Sequence, residues 1–293
     1  EALQRIVEFC HATGRSEEAQ EWADKLAEIE AAAAQASEHH ERALAHAQAC
    51  RLHEAIAEYE QALTLPGQGP TVELAHHYAQ IMNWPKAYEI FQRVYQDSWQ
   101  SATMAFAAGN DEEYRRIRRS LLNSFSEDNP PQWLPSSFLF TAQYLPVEKP
   151  LHERLRKLVE LNSDSEAIGN QQLAASAMYR LGEFDAWYEQ LPDDSPLRNR
   201  RTTQLIVALS RYKREPTDQH RRDLQDQVRL CNQLAASMRK NGTLAYDGWR
   251  NYLEQLAWIR EALQTLGGKP MTLADIEDHR RQAEDLRQQV HAL

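Results

Sequence analysis

The sequence predicts an all-α protein made of stacked antiparallel helix pairs, and three observations carry that expectation. The first is composition: 293 residues contain only 10 glycines and 12 prolines, Ala, Leu, Glu, Gln and Arg are abundant, and no segment shows a run of alternating β-branched residues. The second is spacing. In "HEAIAEYEQALTLP" (53–66), Ala55, Tyr59 and Ala62 fall on one helix face, widened by Ile56 and Leu63, before Pro66 and "PGQGP" stop the helix. The third is recurrence of that face elsewhere in the chain.

Upstream, "GRSEEAQEWADKLAEIE" turns at Gly14 and places Ala19, Ala23 and Leu26 at the same offsets. Downstream, "NWPKAYEIFQRVY" does so with Ala87, Phe91 and Val94. Ala19 and Ala55 are 36 residues apart, and Ala55 and Ala87 are 32 apart. A companion helix precedes each unit: Ile6, Val7 and Cys10 in the first, Leu74, Ala75 and Tyr78 in the third. In the second, Ala43 fits, but Arg42 and His46 stand where apolar residues are expected. Small residues let helices approach closely, and an aromatic fills the gap between them.

Period, turn glycine, small positions and terminal proline over residues 1–97 resemble the tetratricopeptide repeat, a 34-residue antiparallel helix pair. The resemblance implies a tetratricopeptide-like right-handed α-solenoid of 12 to 14 helices. It also implies a concave surface for a partner, because each hairpin buries its apolar face only by stacking on its neighbours.

From 98 to 266 the repeat diverges. "SATMAFAAGNDEEYRRIRRSLLNSF" keeps a helix, a turn and a second helix, then "SEDNPPQWLP" interrupts. Helices are expected near 135–145 and 150–161, and "LAASAMYRLGEFDAWYEQL" restores a repeat-like unit. Two long helices, about 197–214 and 217–240, break before Pro216, and a third runs from Trp249 to Leu266. Residues 267–293 form a hinge at "LGGKP" and a terminal helix with Thr272 as N-cap. Its narrow seam (Ile276, Ala283 and Val290; His279, Leu286 and Leu293) suits either a cap on the solenoid or self-association through 271–293.

Over 101–266 the order of elements resembles the repeat region that follows the kinase domain in planctomycete-type serine/threonine protein kinases, a bacterial family. The residues concerned are "GNDEEYRR", the tryptophan-bearing "QWLPSSFLFTAQYLP", "AASAMYRLGEFDAW" and "WRNYLEQLAWIREALQTL". Ala174 and Ala175 replace that family's leucine–glycine pair, and Trp187 replaces a small residue. The resemblance implies a non-catalytic sensing or scaffolding arm. The chain opens on Glu1 with a helical pattern already running, so a longer polypeptide is expected.

Charge and motifs exclude several function classes. Net charge is −10, with no recognised nucleic-acid motif, so no nucleic-acid partner is expected. Residues 1–65 hold 13 acidic and 5 basic side chains, a balance of −8, whereas residues 197–222 hold 8 basic against 2 acidic, or +6. These read as solvated helix faces, though such asymmetry can steer a partner. No apolar stretch is long enough for direct membrane insertion, and no signal-peptide pattern opens the chain. Cys10, Cys50 and Cys231 are far apart and form no CxxC pair, as expected of reduced thiols in a cytoplasmic protein.

No catalysis is expected. "HRRD" (220–223) lies in a polar helix without a phosphate loop or DFG, Asp193–Asp194 sit in a proline-flanked turn, and Cys10 falls on a packing position. The Arg115/Arg116/Arg118/Arg119 run reads as an exposed helix face with its stems packed down. Six of 11 histidines fall between 39 and 77, but adjacent histidines point to different faces, so neither metal nor cofactor is expected. The repeat projection instead places His40, Leu44 and Gln48 of the second unit, and Val72, His76, Ala79 and Gln80 of the third, along one concave groove. This groove lacks the Lys, Arg and Asn of a carboxylate clamp, and it suits an extended or helical protein or peptide partner with apolar anchors. Trp133 is a further candidate contact, with burial in the core as the competing reading. Two other functions stay open, a structural spacer without its own ligand and a non-catalytic subunit of an enzyme assembly.

Overall fold

Between Gly14 and Pro66 no glycine or proline interrupts the chain, and "AAAA" at 31–34 is the strongest helix-forming run in it. Helix α2 accordingly runs unbroken from Ser16–Gln48. The two separate helices expected either side of residues 31–34 are thus one helix of 33 residues. The computed structural model describes residues 2–123, 153, 155–157, 159–160, 168–240, 243–246 and 248–267. The expected helix at 135–145, Trp133 and the terminal helix after 267 lie outside the described residues.

The chain is mostly helical, as composition predicts. Helix α1 (Ala2–Ala12) precedes α2, and α3 (Leu52–Leu63), α4 (Val72–Gln80), α5 (Trp84–Tyr95), α6 (Trp99–Ala107) and α7 (Asp111–Asn123) follow it. Each of these packs on the next in chain order. Residues 153, 155–157 and 159–160 are helical. Then come α8 (Ile168–Leu181), α9 (Phe184–Gln190), a 3₁₀ turn (Pro196–Asn199), α10 (Arg201–Arg214), α11 (Asp218–Ser237) and α12 (Gly248–Thr265). Glu215 is extended before Pro216, which separates α10 from α11.

One turn recurs five times. Gly14, Cys50, Met82, Gly109 and Gly182 all take the left-handed conformation, with φ of 73°, 58°, 60°, 75° and 75°. After each, the next backbone N–H donates to a carbonyl five residues back: Arg15 to Cys10, Arg51 to His46, Asn83 to Tyr78, Asn110 to Ala105, and Glu183 to Met178. This is the Schellman closure of a helix C-terminus. The following carbonyl then accepts the first bond of the next helix, from Ala19, Ala55, Ala87, Tyr114 and Trp187 in turn. The turn is therefore shared even where its glycine and the small residue after it have been replaced.

Side-chain caps fix several helix starts. Thr71, Asn83, Ser98, Asn110 and Thr217 each accept from the backbone N–H three residues on. Between α11 and α12 a short antiparallel pair, β1 (Arg239–Lys240) and β2 (Thr243–Leu244), sets Arg239 opposite Leu244 and Lys240 opposite Thr243. The expectation of no β-structure missed this pair, although Asn241-Gly242 is the commonest two-residue hairpin sequence.

The largest difference from expectation concerns α12. It was expected, from Trp249 to Leu266, to complete the array as one more stacked helix. Instead every residue from Tyr252 to Ala262 is buried, including Glu254, Gln255, Arg260 and Glu261. Tyr252 stacks on Trp84 of α5, Trp249 on Trp99 of α6, and the Arg260 guanidinium lies over Phe106. On the other side Trp258 meets Tyr179 of α8 edge-on, and Gln255 donates to Thr202 of α10. Helix α12 is therefore apolar or internally paired all round and forms a core shared by both halves of the chain. Arg118 departs from its reading in the same way: it is 1% exposed, whereas an exposed face was expected.

Candidate partner-binding surface

The seven groove residues divide into two groups. His40 is half-buried, Leu44 is 47% exposed, Gln48 is exposed, and Val72 is half-buried. His76, Ala79 and Gln80 are 7%, 0% and 7% exposed: Tyr246 stacks on His76, Trp249 bonds to it and Gln80 bonds to Leu244, while Ala79 lies in the hydrophobic core. The groove expected to be open along its length is thus occupied over α4 and accessible over the second half of α2.

Aromatic rings join the two groups. His40 packs on Tyr59 of α3 with centroids 5.4 Å apart, Tyr59 on His77 at 5.7 Å, and His77 meets Tyr246 edge-on at 6.0 Å. Tyr246 in turn stacks on His76 at 4.7 Å. Tyr59 and His77 are buried and form the floor, while Leu44 and Tyr246, both large and apolar, stay exposed near its two ends. Burial pushes the Tyr59 hydroxyl up to about 12, with Glu73 and Tyr246 adding to the effect, so it remains a neutral phenol at any physiological pH.

An ion-pair cluster braces this surface. His39 Nδ1 lies 2.7 Å from Glu58 Oε2, and Arg42 Nε donates to the same oxygen at 2.9 Å. These two hydrogen bonds, that from His39 foremost, hold the Glu58 carboxyl below the usual carboxylate range. The cluster ties α2 to α3 beside His40, so the exposed helix face is held in a fixed orientation.

A second region gathers charged side chains around a cleft. A cleft of about 610 Å³ is lined by Tyr179, Arg180, Asp185, Lys213, Arg214 and Glu261, among others. Its charges are already satisfied: Arg180 and Lys213 each lie 2.8 Å from Glu261, and Arg214 lies 2.7 Å from Asp185. Burial raises the Glu261 carboxyl, but the adjoining Arg180 and Lys213 outweigh it and bring it down to about 2. A carboxylate held so firmly ionised serves poorly as a general acid or base near neutrality. Among the described residues, no group of three or more His, Cys, Asp or Glu is arranged to hold a metal ion. Nor, among them, is any helix long and apolar enough to cross a membrane.

Sequence reasoning missed Leu244, Tyr246 and Trp249 as residues of this surface. The hairpin dipeptide before Leu244 was the signal that pointed to them. The fold is that of a mostly helical, all-α protein. The chain matches no family model, no curated protein and no solved structure.

Proposed function

We propose that the chain is a protein–protein interaction module, a tetratricopeptide-like right-handed solenoid that binds a partner segment through the strip bearing Gln48, Leu44, His40 and Val72. The observation that carries this reading is Leu44. A leucine left 47% exposed, on the same helix face as a histidine packed on a buried aromatic floor, is an apolar anchor site. The five shared turns support the repeat assignment. In this reading the module is the non-catalytic arm of a larger cytoplasmic, kinase-like regulator, and His76, Ala79 and Gln80 complete the groove only when residues 244–246 vacate it.

The test is site-specific photo-crosslinking from position 44, with exposed position 20 on the outer side of α2 as the comparison. A discrete adduct from position 44 that disappears on His40→Glu supports the groove. Equal labelling from both positions, or an adduct indifferent to His40→Glu, overturns it.

A spacer without its own ligand is favoured by one observation, the buried α12. A filled interior makes a stiff strut, and this second reading predicts that Leu44→Asp and His40→Glu leave partner capture unchanged.

A further inference from the structure

The part of the groove over α4 is covered by a short segment of the chain itself, extended at Thr243–Leu244 and turning at Tyr246, and the contacts have the form of a ligand being read. Gln80 Nε2 donates at 3.1 Å to the main-chain carbonyl of Leu244. The Leu244 side chain points inward and is 2% exposed, Ala245 points outward and is exposed, and the Tyr246 ring turns back to stack on His76. A side-chain amide on the main chain, an apolar pocket, and an aromatic contact two residues on: this is how a helical groove recognises an extended peptide. The segment is short and partly exposed. Its strands are two residues each, and Tyr246 remains 42% exposed although stacked. By contrast Trp249, three residues further on, is fully buried against His76 of α4, Phe91 of α5 and Trp99 of α6.

We propose that the α4 face formed by His76, Ala79 and Gln80 is a peptide-reading surface for extended segments of the pattern Leu-x-Tyr, which residues 244–246 occupy in cis until a partner of the same pattern displaces them. This rests on the interaction-module reading and adds a partner chemistry and a switch to it. The resident segment is tethered at both ends, so it competes at the millimolar effective concentration typical of short links, and a weak external peptide is excluded from the unaltered protein. Weakening the segment's hold uncovers Gln80 and the side of His76 that Tyr246 covers, while Trp249 keeps its bond to His76 Nδ1 and holds α12 in place.

The probe is a labelled synthetic peptide of residues 243–249, Thr-Leu-Ala-Tyr-Asp-Gly-Trp, titrated by fluorescence anisotropy against the 293-residue chain and its Leu244→Ala/Tyr246→Ala variant. The expected result is binding to the variant at least tenfold tighter than to the unaltered chain, and its loss when Gln80→Ala is added. Equal affinity for both, or no binding to a variant whose helicity and tryptophan fluorescence are unchanged, overturns the proposal. Hydrogen exchange of the unaltered chain tests it without any substitution. The Leu244 amide should exchange at least a hundredfold faster than those of residues 252–260, and equal protection overturns the displaceable segment. Leu44 lies outside these contacts, so failure here leaves the crosslinking test standing, and the reverse also holds.

Discussion

The indole N–H of Trp249 donates to Nδ1 of His76 at 3.1 Å, joining residues 173 apart in the chain. Both side chains are buried, and the bond fixes the ring nitrogen that must stay unprotonated to accept it. Through this contact a helix near the end of the described chain is locked onto the third hairpin of the array.

That contact sets the first expected outcome. Trp249→Phe keeps most of the apolar volume but removes the donor to His76, at a cost of about 1–3 kcal/mol. Trp249→Ala adds a cavity beside Phe91 and Trp99 and should cost about 3–5 kcal/mol. Urea denaturation of the two variants separates hydrogen bond from packing.

The recurring turn makes a second set of outcomes. Cys50 and Met82 hold the left-handed conformation that glycine holds in the other three turns. A side chain there costs about 1 kcal/mol or more, so Cys50→Gly and Met82→Gly should each stabilise the fold by about that amount. Gly14→Ala, Gly109→Ala and Gly182→Ala should destabilise it by about 1 kcal/mol. No atom lies within 4 Å of a Cβ built at these glycines, so the measured change reports backbone conformation alone.

Glu261 predicts the acid limit of the fold. Its carboxyl is held down to about 2, against an ordinary value of 4.5, by cations that overcome its burial. Because the folded value is the lower one, its contribution is fully present above about pH 4.5 and is lost as pH falls toward 2. Glu261→Gln leaves the buried Arg180 without its carboxylate and should cost about 3–5 kcal/mol at neutral pH. The difference from the unaltered chain should shrink below pH 4, which thermal melts across pH 2–7 would reveal.

Thiol chemistry gives the fourth outcome. Cys50 is exposed while Cys10 and Cys231 are buried, and burial pushes the Cys231 thiol up to about 12. A disulfide reagent at pH 8 should therefore titrate one thiol rapidly in the folded chain and three after denaturation. Rapid reaction of three thiols in the folded state would contradict the burial of Cys10 on α1 and Cys231 on α11.

What could be read beforehand was whatever depends on neighbours in the chain. Ala55, Tyr59, Ala62, Ala87 and Phe91 were placed on buried faces by spacing alone, and all five are buried. The boundary inside α2 was misread because repeat arithmetic asked for a break near residues 31–34, where a run of four alanines favours helix and no glycine or proline stands. The role of α12 was missed for a different reason. Its Glu254, Arg260 and Glu261 look like a solvated face, and only partners far away in sequence, such as Arg180, Lys213 and Asp111, make their burial tolerable. Of the surface, the helix positions of His40 and Leu44 follow from periodicity. The covering of His76 and Gln80 depends on a segment more than 160 residues away, which no local pattern encodes.

Placing its core helix so late has a consequence for how this polypeptide is made. Ordinary repeat arrays gain stability unit by unit, so their early hairpins can settle while the ribosome is still working. Here the hairpins of α4 to α7 emerge with an apolar lining and wait for more than a hundred further residues before Trp249, Tyr252 and Trp258 arrive to fill it. A message broken anywhere ahead of that point would yield a sticky product for chaperones or proteases to clear, and the finished chain should melt in one step where an open array would fray from its ends.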